Sequence, residues 1–285
     1  MKPSLPVTVP PYWDGPDRTD HEGAALPTID VNGTTLGYDD TGGPGPAILL
    51  SHSLFFDRHM FAAQVAGFGR RYRVVAYDHR GQGESARSRF VDMDTLAGDA
   101  AALITALDLG RVHVVGNSMG GFVALRLAAR QPELVRSAVV LSSSADEEGQ
   151  VEDFRALLEC ARTAGVPETV DALLYLMFGD TTLAGRIALR ERWRRHFAAL
   201  DSDVLPAVEA VVCRKAVLGE LLGCTVPMLV LSGAEDHAYG PPLSQRIADT
   251  AANAQHVTVR GAGHSLAVEQ PDVVNDLMAA HFAAT

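Results

Sequence analysis

The 285-residue sequence contains only three cysteines, Cys160, Cys213 and Cys224. They cannot all pair with one another, and they have neither Cys-x-x-Cys spacing nor neighbouring histidines. We therefore expect three free thiols and no metal site. This cysteine usage, together with the lack of a signal-peptide stretch in Met1–Pro11, favours a cytoplasmic protein.

Positive charge and long apolar runs are also scarce. Lysine and arginine total 24 against 35 acidic residues, so the formal net charge is −11. A field of that sign repels phosphate backbones, and no basic cluster with interleaved aromatics offsets it, so we expect no nucleic-acid partner. No segment has the roughly 18 consecutive apolar residues of a membrane span, so we expect no membrane partner. The expected partner is a small-molecule substrate, with a homodimer as the one assembly to consider.

Apolar residues are plentiful, at 47% of the chain against 21% charged residues, which suffices for a large buried core. Six short, continuous apolar runs alternate with helical segments. The runs are Ala47–Leu50, Arg73–Tyr77, Val112–Val115, Ala138–Leu141, Met228–Leu231 and His256–Val259. Such runs are typical of parallel strands covered by helices on both faces, so the alternation predicts a doubly wound α/β fold.

Three intervals depart from this alternation. Residues 1–27 are rich in Pro, Asp and Gly, which predicts an irregular N-terminal arm. Asn32-Gly33 lies between two short strand-like runs and predicts an antiparallel hairpin. The third interval, between Leu141 and Met228, has helical patterns only and is too long for a plain crossover. Its patterns are Phe154–Ala164, Val170–Phe178 and Leu183–Leu200. The predicted division is a core of residues 28–144 and 226–285 with a helical cap of residues 145–225.

The segment Gly116-Asn-Ser-Met-Gly120 matches the pattern G-x-S-x-G. This pattern is typical of a sharp strand-to-helix turn that lifts a serine hydroxyl above a sheet, with glycines where side chains would block the close approach. An apolar run precedes the segment and an Ala- and Leu-rich stretch follows it, as that turn requires. We therefore interpret Ser118 as a nucleophile rather than as a solvent-facing serine in a Gly-rich turn.

A serine hydroxyl is a weak nucleophile at neutral pH, so it needs a base and a carboxylate that orients the base. Asp236 follows one strand run in Ser232-Gly-Ala-Glu-Asp236, and His264 follows the next in Gly261-Ala-Gly-His264. Both positions lie at strand carboxyl ends, in the chain order that accompanies such a nucleophile turn. We predict His264 as the general base and Asp236 as the orienting acid.

Four other residues compete for these roles. Glu235 adjoins Asp236, and Asp146 follows another strand run, so either carboxylate is an alternative acid. His237 also adjoins the acid, but we interpret it as a loop residue. His113 lies inside a strand run, and we interpret it as a packed core histidine.

Residues 28–282 resemble the α/β-hydrolase superfamily, in the branch of small-molecule hydrolases with a helical cap. The matching segments are Leu49–Leu54, Tyr77–Ser85, Gly116–Gly121, Gly233–Asp236 and Gly261–Pro271. The resemblance implies the α/β-hydrolase fold, with a mostly parallel eight-stranded sheet, helices on both faces and an inserted helical cap. The stretch Ser51-His-Ser-Leu54 is similar to that of 3-oxoadipate enol-lactonases, although Phe55-Phe56 stand where those enzymes tend to have a Gly-containing step.

The resemblance also implies an oxyanion hole of two backbone N–H groups, those of Met119 and, by position, Leu54. Ser53 replaces the commoner glycine and could add a hydroxyl donor or restrict the loop. No cofactor is needed for this chemistry. The expected substrate contacts are His52, Ser53, Phe55 and Trp193.

Two further charged segments stand out. In the turn Tyr77–Ser85, we interpret Asp78 and Arg80 as an orienting pair. The predicted cap concentrates cations in Arg186–Phe197. We interpret these as a solvated helix face, with one inward arginine that binds a substrate carboxylate as the alternative.

These features predict a carboxylesterase or lactonase that acts through an acyl-enzyme. The same residues can serve carbon–carbon bond hydrolysis or cofactor-free haloperoxidase and perhydrolase chemistry. A non-catalytic ligand receptor with a hydrolase fold is the alternative from another class. Such receptors often lose one member of the catalytic set, whereas here all three positions are filled.

Overall fold

A computed structural model describes residues 27–285. Apart from Pro27, the predicted N-terminal arm lies outside the described residues. The strands are β1 Thr28–Val31, β2 Thr34–Asp40, β3 Ala47–Ser51, β4 Arg73–Tyr77, β5 Val112–Asn117, β6 Val135–Leu141, β7 Met228–Gly233 and β8 Ala254–Val259. The helices are α1 Ala62–Phe68, α2 Met93–Ala106, α3 Met119–Arg130, α4 Val151–Thr163, α5 Val170–Met177, α6 Asp180–Gly185, α7 Ile187–Ala198, α8 Leu205–Val212, α9 Pro241–Thr250, α10 Leu266–Glu269 and α11 Pro271–Ala283.

The eight strands form one sheet in the order β1-β2-β4-β3-β5-β6-β7-β8. β1 pairs with β2 and β2 with β4 in antiparallel fashion, and the other neighbours are parallel. Every residue of the central strands β3, β5 and β7 is buried, as expected for strands covered on both faces. This confirms the predicted mostly parallel, eight-stranded α/β sheet.

The antiparallel edge begins with the predicted hairpin. Asn32 and Gly33 have φ angles of 46° and 72°. Two successive residues with positive φ are the requirement of a two-residue type I′ turn, for which Asn-Gly is the favoured pair. The turn sets the register in which Val31 pairs with Thr34.

Between β6 and β7, residues 142–227 are described throughout and form helices and turns with no strand. These residues carry the cap helices α4–α8, whose apolar faces pack against the core. The stretch of helical composition over Leu183–Leu200 is divided between α6 and α7, which are separated at Arg186 with φ −108° and ψ 64°. Gly185 is a poor helix former, and the Arg186 guanidinium donates to the carbonyl oxygen of Glu269. The chain therefore turns where the cap is attached to the core.

Asp78 and Arg80 were interpreted as an orienting pair, but they do not pair with each other, because each residue has another partner. The Asp78 carboxylate accepts the backbone N–H of Arg58 at 2.8 Å and pairs with the Arg58 guanidinium. The Arg80 guanidinium pairs with Asp99, with Nε 2.6 Å from Oδ2. The partner of each residue comes from another element of the fold. Both ion pairs fix the loop after β4.

The three cysteines are free, as predicted. Within residues 27–285, no helix is long and apolar enough to cross a membrane. In the same range, no group of three or more His, Cys, Asp or Glu side chains could hold a metal ion.

Candidate active site

Ser118 lies at the junction of β5 and α3, with φ 52° and ψ −112°. Positive φ is unusual for a residue with a side chain, so neighbouring contacts must hold it. The Ser118 N–H donates to the carbonyl oxygen of Leu141 at 2.8 Å, and its carbonyl oxygen accepts from Ser143 Oγ at 2.9 Å. A Cβ on Gly120 would overlap the backbone carbonyl of Ser51. The second glycine of the motif is thus required where α3 approaches β3.

The second feature of the site is a buried carboxylate–imidazole pair. His264 Nδ1 lies 3.0 Å from Oδ1 and 3.1 Å from Oδ2 of Asp236. Asp236 follows β7, and its Oδ1 also accepts the backbone N–H groups of Ala238 at 2.8 Å and Tyr239 at 2.9 Å. A carboxylate only accepts hydrogen bonds, so Nδ1 of His264 carries the proton and donates. In neutral His264, Nε2 is therefore left as an acceptor.

The environment of Asp236 keeps its carboxyl ionised. Burial alone raises the pKa of such a group. The charge of His264, its hydrogen bond and the two backbone N–H donors outweigh burial and hold the pKa of Asp236 below its ordinary value. A carboxylate that stays ionised at neutral pH can stabilise an imidazolium.

The loop that carries His264 is tied directly to the nucleophile turn. Asn117, which precedes Ser118, donates through Nδ2 to the His264 carbonyl oxygen at 3.1 Å. Among the described residues, no hydrogen bond joins Ser118 Oγ to His264. Catalytic hydrogen bonds are often long without substrate and tighten when it binds. The structure therefore joins Asp236 to His264 directly and Ser118 to His264 through its neighbour.

Neither alternative acid contacts His264. The Glu235 carboxylate accepts from Thr181, at 2.7 Å from its N–H and 2.6 Å from its Oγ1. Asp146 pairs with Arg246 at 3.1 Å. Glu235 thus faces the cap, and Asp146 faces α9.

The two competing histidines also have other partners. His237 Nδ1 lies 2.7 Å from the carbonyl oxygen of Tyr175, and the two rings stack with centroids 4.1 Å apart. His113 is 1% exposed, and its Nδ1 lies 2.8 Å from Ser137 Oγ. His113 is the packed core histidine predicted, and His237 joins a core loop to the cap.

The predicted oxyanion donors lie on two neighbouring turns. The Met119 N–H is the first of α3, and Leu54 belongs to the turn Ser53–Phe56, here named the oxyanion turn. In the described residues, neither N–H donates to a protein acceptor. Unpaired N–H groups at a helix start are suited to bind a negative oxygen.

His52 holds the oxyanion turn through hydrogen bonds to the backbone. Its Nδ1 donates to the carbonyl oxygen of Ser53 at 2.8 Å, and its Nε2 accepts the backbone N–H of His79 at 2.9 Å. Burial lowers the pKa of His52, so the ring is neutral, in agreement with these bonds. Both ring nitrogens are thus occupied by backbone groups and unavailable to a substrate. Ser53 Oγ is buried and has no partner among the described residues.

Comparison with known proteins identifies the family. The family model for the alpha/beta hydrolase family matches residues 16–277. The chain belongs to the α/β-hydrolase family. A candidate non-heme bromoperoxidase of Mycobacterium tuberculosis, BpoC, is 30% identical over 261 residues, which cover 87% of this chain and 98% of the relative. The membership confirms the resemblance and shows that the protein is a hydrolase.

Two solved structures extend the likeness across the whole fold. The enol-lactonase from Burkholderia xenovorans LB400 is 30% identical, with a TM-score of 0.84 and coverage of 90% of this chain and 100% of that chain. A thermophilic esterase from Thermogutta terrifontis is 26% identical, with a TM-score of 0.84 and coverage of 92% and 99%. The fold of the hydrolase is therefore shared nearly end to end with both.

The cap of the hydrolase packs on the oxyanion turn through aromatic rings. Trp193 of α7 is buried, its ring centroid lies 4.5 Å from that of Phe56, and its Nε1 has no partner among the described residues. Phe55 lines a small apolar cavity with side chains of α4 and α8 that include Leu158 and Val208. The predicted substrate contacts at Phe55 and Trp193 thus lie between turn and cap, and their contact with substrate stays a prediction.

Three of the cap arginines contact the protein itself. Arg186 donates to the Glu269 carbonyl oxygen, Arg190 donates to the Leu183 carbonyl oxygen at 3.0 Å, and Arg194 pairs with Asp171 at 2.7 Å. The guanidinium carbon of Arg192 lies 5.4 Å from the ring centroid of its neighbour, Trp193. Only the contact of Arg186 joins the cap to the core, and the others lie within the cap. A cap arginine that binds a substrate carboxylate stays a prediction.

Glu269 was not singled out by sequence reasoning, although it lies within the segment Gly261–Pro271. Its buried carboxylate accepts the N–H groups of Gly263 at 3.0 Å and Ser265 at 3.1 Å, on either side of His264, and of Gly179 in the cap at 2.9 Å. Burial raises its pKa, although the N–H donors act in the opposite direction. Spacing alone cannot reveal such a contact, because the donors are backbone groups.

Proposed function

We propose that this hydrolase cleaves a small carboxylic ester or lactone through an acyl-enzyme on Ser118. The observation that carries the proposal is the buried pair of Asp236 and His264, with Nδ1 of the histidine 3.0 Å from the carboxylate. Asn117 joins the loop of His264 to the serine turn. The similar proteins named as an enol-lactonase and an esterase support the same substrate class.

In the proposed acylation step, Ser118 Oγ attacks the carbonyl carbon while Nε2 of His264 takes the hydroxyl proton. Asp236 remains ionised and stabilises the imidazolium. The carbonyl oxygen becomes an oxyanion that receives hydrogen bonds from the N–H groups of Leu54 and Met119. Loss of one such donor costs about 3 to 4 kcal/mol of transition-state stabilisation. Collapse then breaks the carbon–oxygen bond, and the leaving alcohol takes the proton from Nε2.

Water then hydrolyses the acyl-enzyme, with water in place of Ser118 as the nucleophile and Ser118 in place of the alcohol as the leaving group. His264 removes a proton from the water, whose oxygen attacks the acyl carbon, and the oxyanion again forms between the same donors. Collapse returns the proton to Ser118 and releases the carboxylic acid. In a lactone the alcohol stays attached to the acyl group, so the product is a single hydroxy acid. The overall reaction consumes one water for each bond cleaved.

The enclosure of the site favours a small substrate. Ser118 is 5% exposed and His264 1%. The cap residues next to the oxyanion turn are aromatic and apolar, which suits an uncharged acyl group of limited size.

The test is hydrolysis of a graded panel of aryl esters and lactones by the native protein and matched variants. Ser118→Ala and His264→Ala should each lower kcat for p-nitrophenyl acetate by several orders of magnitude without unfolding the protein. Ser202→Ala and His256→Ala, both outside the site, should leave kcat unchanged. Native activity that survives Ser118→Ala would contradict the proposal, as would a native protein inactive on the whole panel.

A further inference from the structure

The oxyanion turn contains an unusual backbone conformation at Phe55. Phe56 N–H donates to the carbonyl oxygen of Ser53 at 3.2 Å, and Phe55 has φ 69°, whereas Leu54 has no positive φ. A four-residue turn with positive φ only at its third position is type II, where glycine is favoured because a side chain crowds the backbone. A bulky phenylalanine there must be held by contacts from outside the turn.

The cap supplies one such contact. His196 Nε2, in α7, lies 2.9 Å from the Phe55 carbonyl oxygen, across 141 residues of sequence. A carbonyl oxygen only accepts, so Nε2 carries the proton and donates. The His196 ring also stacks on Phe56, with centroids 6.3 Å apart, and lies 5.0 Å from the ring centroid of Trp193. The hydrogen bond and the ring packing are separable contributions.

We infer that His196 is a positioning residue that keeps the oxyanion turn in the conformation needed for catalysis. The inference rests on the proposed function, in which the Leu54 N–H binds the oxyanion. Without the hydrogen bond, the positive φ of Phe55 is no longer held from the cap, and the turn relieves its crowding by changing the dihedral angles of both Leu54 and Phe55. A change in the φ of Leu54 turns its N–H relative to the rest of the site, so the donor is misaligned.

Two consequences distinguish this role from simple packing. The oxyanion exists only in the transition state, so loss of the hydrogen bond lowers kcat and leaves KM nearly unchanged. The donor to Phe55 also belongs to the cap, so the oxyanion hole is complete only when α7 is seated on the core. Turnover is thereby coupled to closure of the cap.

The experiment compares His196→Phe, which keeps a ring but has no donor, with His196→Gln, which keeps an N–H donor of similar reach. We expect kcat for p-nitrophenyl acetate to fall about tenfold in the Phe variant, the effect of about one buried hydrogen bond, with KM little changed. The Gln variant should retain most of the native kcat. A small alkyl boronic acid, whose tetrahedral adduct places an oxygen in the oxyanion hole, should bind the Phe variant more weakly by the same factor.

Several outcomes would overturn the inference. They are a native kcat in the Phe variant, an equal loss in the Gln and Phe variants, or a rise in KM alone. His196→Ala, which also lacks a donor, replaces the Phe variant if thermal denaturation shows that the latter does not fold. A native protein without Ser118-dependent turnover would contradict the proposed function and with it this inference. Unchanged kcat in a donor-free variant of an active native enzyme would contradict the inference alone.

Discussion

Replacing Asp236 with asparagine turns one oxygen of the candidate acid into an NH₂ group, which donates hydrogen bonds where the oxygen accepted them. The volume of the side chain hardly changes. Oδ1 accepts three hydrogen bonds, from the N–H groups of Ala238 and Tyr239 and from His264, whereas Oδ2 faces only His264. An amide group with its oxygen at Oδ1 keeps both backbone bonds. The reverse orientation points the NH₂ group at two N–H donors and leaves these buried groups unpaired, which costs about 1 to 3 kcal/mol of stability for each. The first orientation is therefore favoured.

That orientation reverses the tautomer of the histidine. The amide NH₂ then stands at the position of Oδ2, 3.1 Å from Nδ1 of His264, and it only donates. A proton on Nδ1 would meet the NH₂ hydrogens at that distance, so the tautomer with the proton on Nε2 is favoured, and in that tautomer Nε2 can no longer take a proton from Ser118. The same exchange in a serine-protease triad lowers kcat by about 10⁴-fold, and a loss of that size corresponds to about 5.5 kcal/mol.

The assay is steady-state hydrolysis of p-nitrophenyl acetate, with circular dichroism and thermal denaturation to confirm a native fold. We expect kcat of Asp236→Asn to fall by about 10³ to 10⁴ with little change in KM. Asp146→Asn makes the same chemical exchange at another strand end and should keep native kcat. A folded Asp236→Asn protein with kcat within about tenfold of native would refute the assigned role of Asp236.

Three further predictions concern two residues near the site and one histidine in the core. Glu235→Gln should leave kcat close to native, because that carboxylate contacts Thr181 in the cap; a loss like that of Asp236→Asn would contradict this. Gly120→Ala should lower the free energy of unfolding by about 1 to 3 kcal/mol in urea denaturation, because its Cβ would overlap the backbone of β3; an equally stable variant would refute this close approach. Burial lowers the pKa of His113 from 6.5 to about 4. As the pH falls, this histidine is therefore protonated in the unfolded chain before it is protonated in the folded protein. Stability should therefore drop by about 2 kcal/mol between pH 7 and pH 5, and His113→Gln should remove that part of the drop; an unchanged pH dependence in His113→Gln would refute it.

The sheet and the triad candidates were predictable from sequence because their signals are local. Continuous apolar runs marked the buried parallel strands, and Asn32-Gly33 marked the hairpin. The G-x-S-x-G segment predicted Ser118 at a strand-to-helix turn. The order of the strand ends along the chain predicted Asp236 and His264, which the structure joins by a hydrogen bond. Each of these inferences required only a short window of sequence.

The contacts between distant segments were not predictable in this way. Asp78 and Arg80 are near each other in sequence, yet their ionic partners are Arg58 and Asp99, which only the tertiary fold brings close. The break of the cap helix at Arg186 likewise depends on a contact with the core. Glu269 and His196 act on backbone groups, and such partners leave no residue-type pattern in the sequence.

The proposed catalysis depends on Ser118 as an activated nucleophile. It is tested most directly by a fluorophosphonate probe, which reacts with activated serine hydroxyls, followed by intact-mass and peptide mass spectrometry. We expect one probe per native chain, attached at Ser118, and no label on Ser118→Ala. A native protein that stays unlabelled, or a label on any other serine, would contradict it and favour a hydrolase fold that binds ligands without turnover.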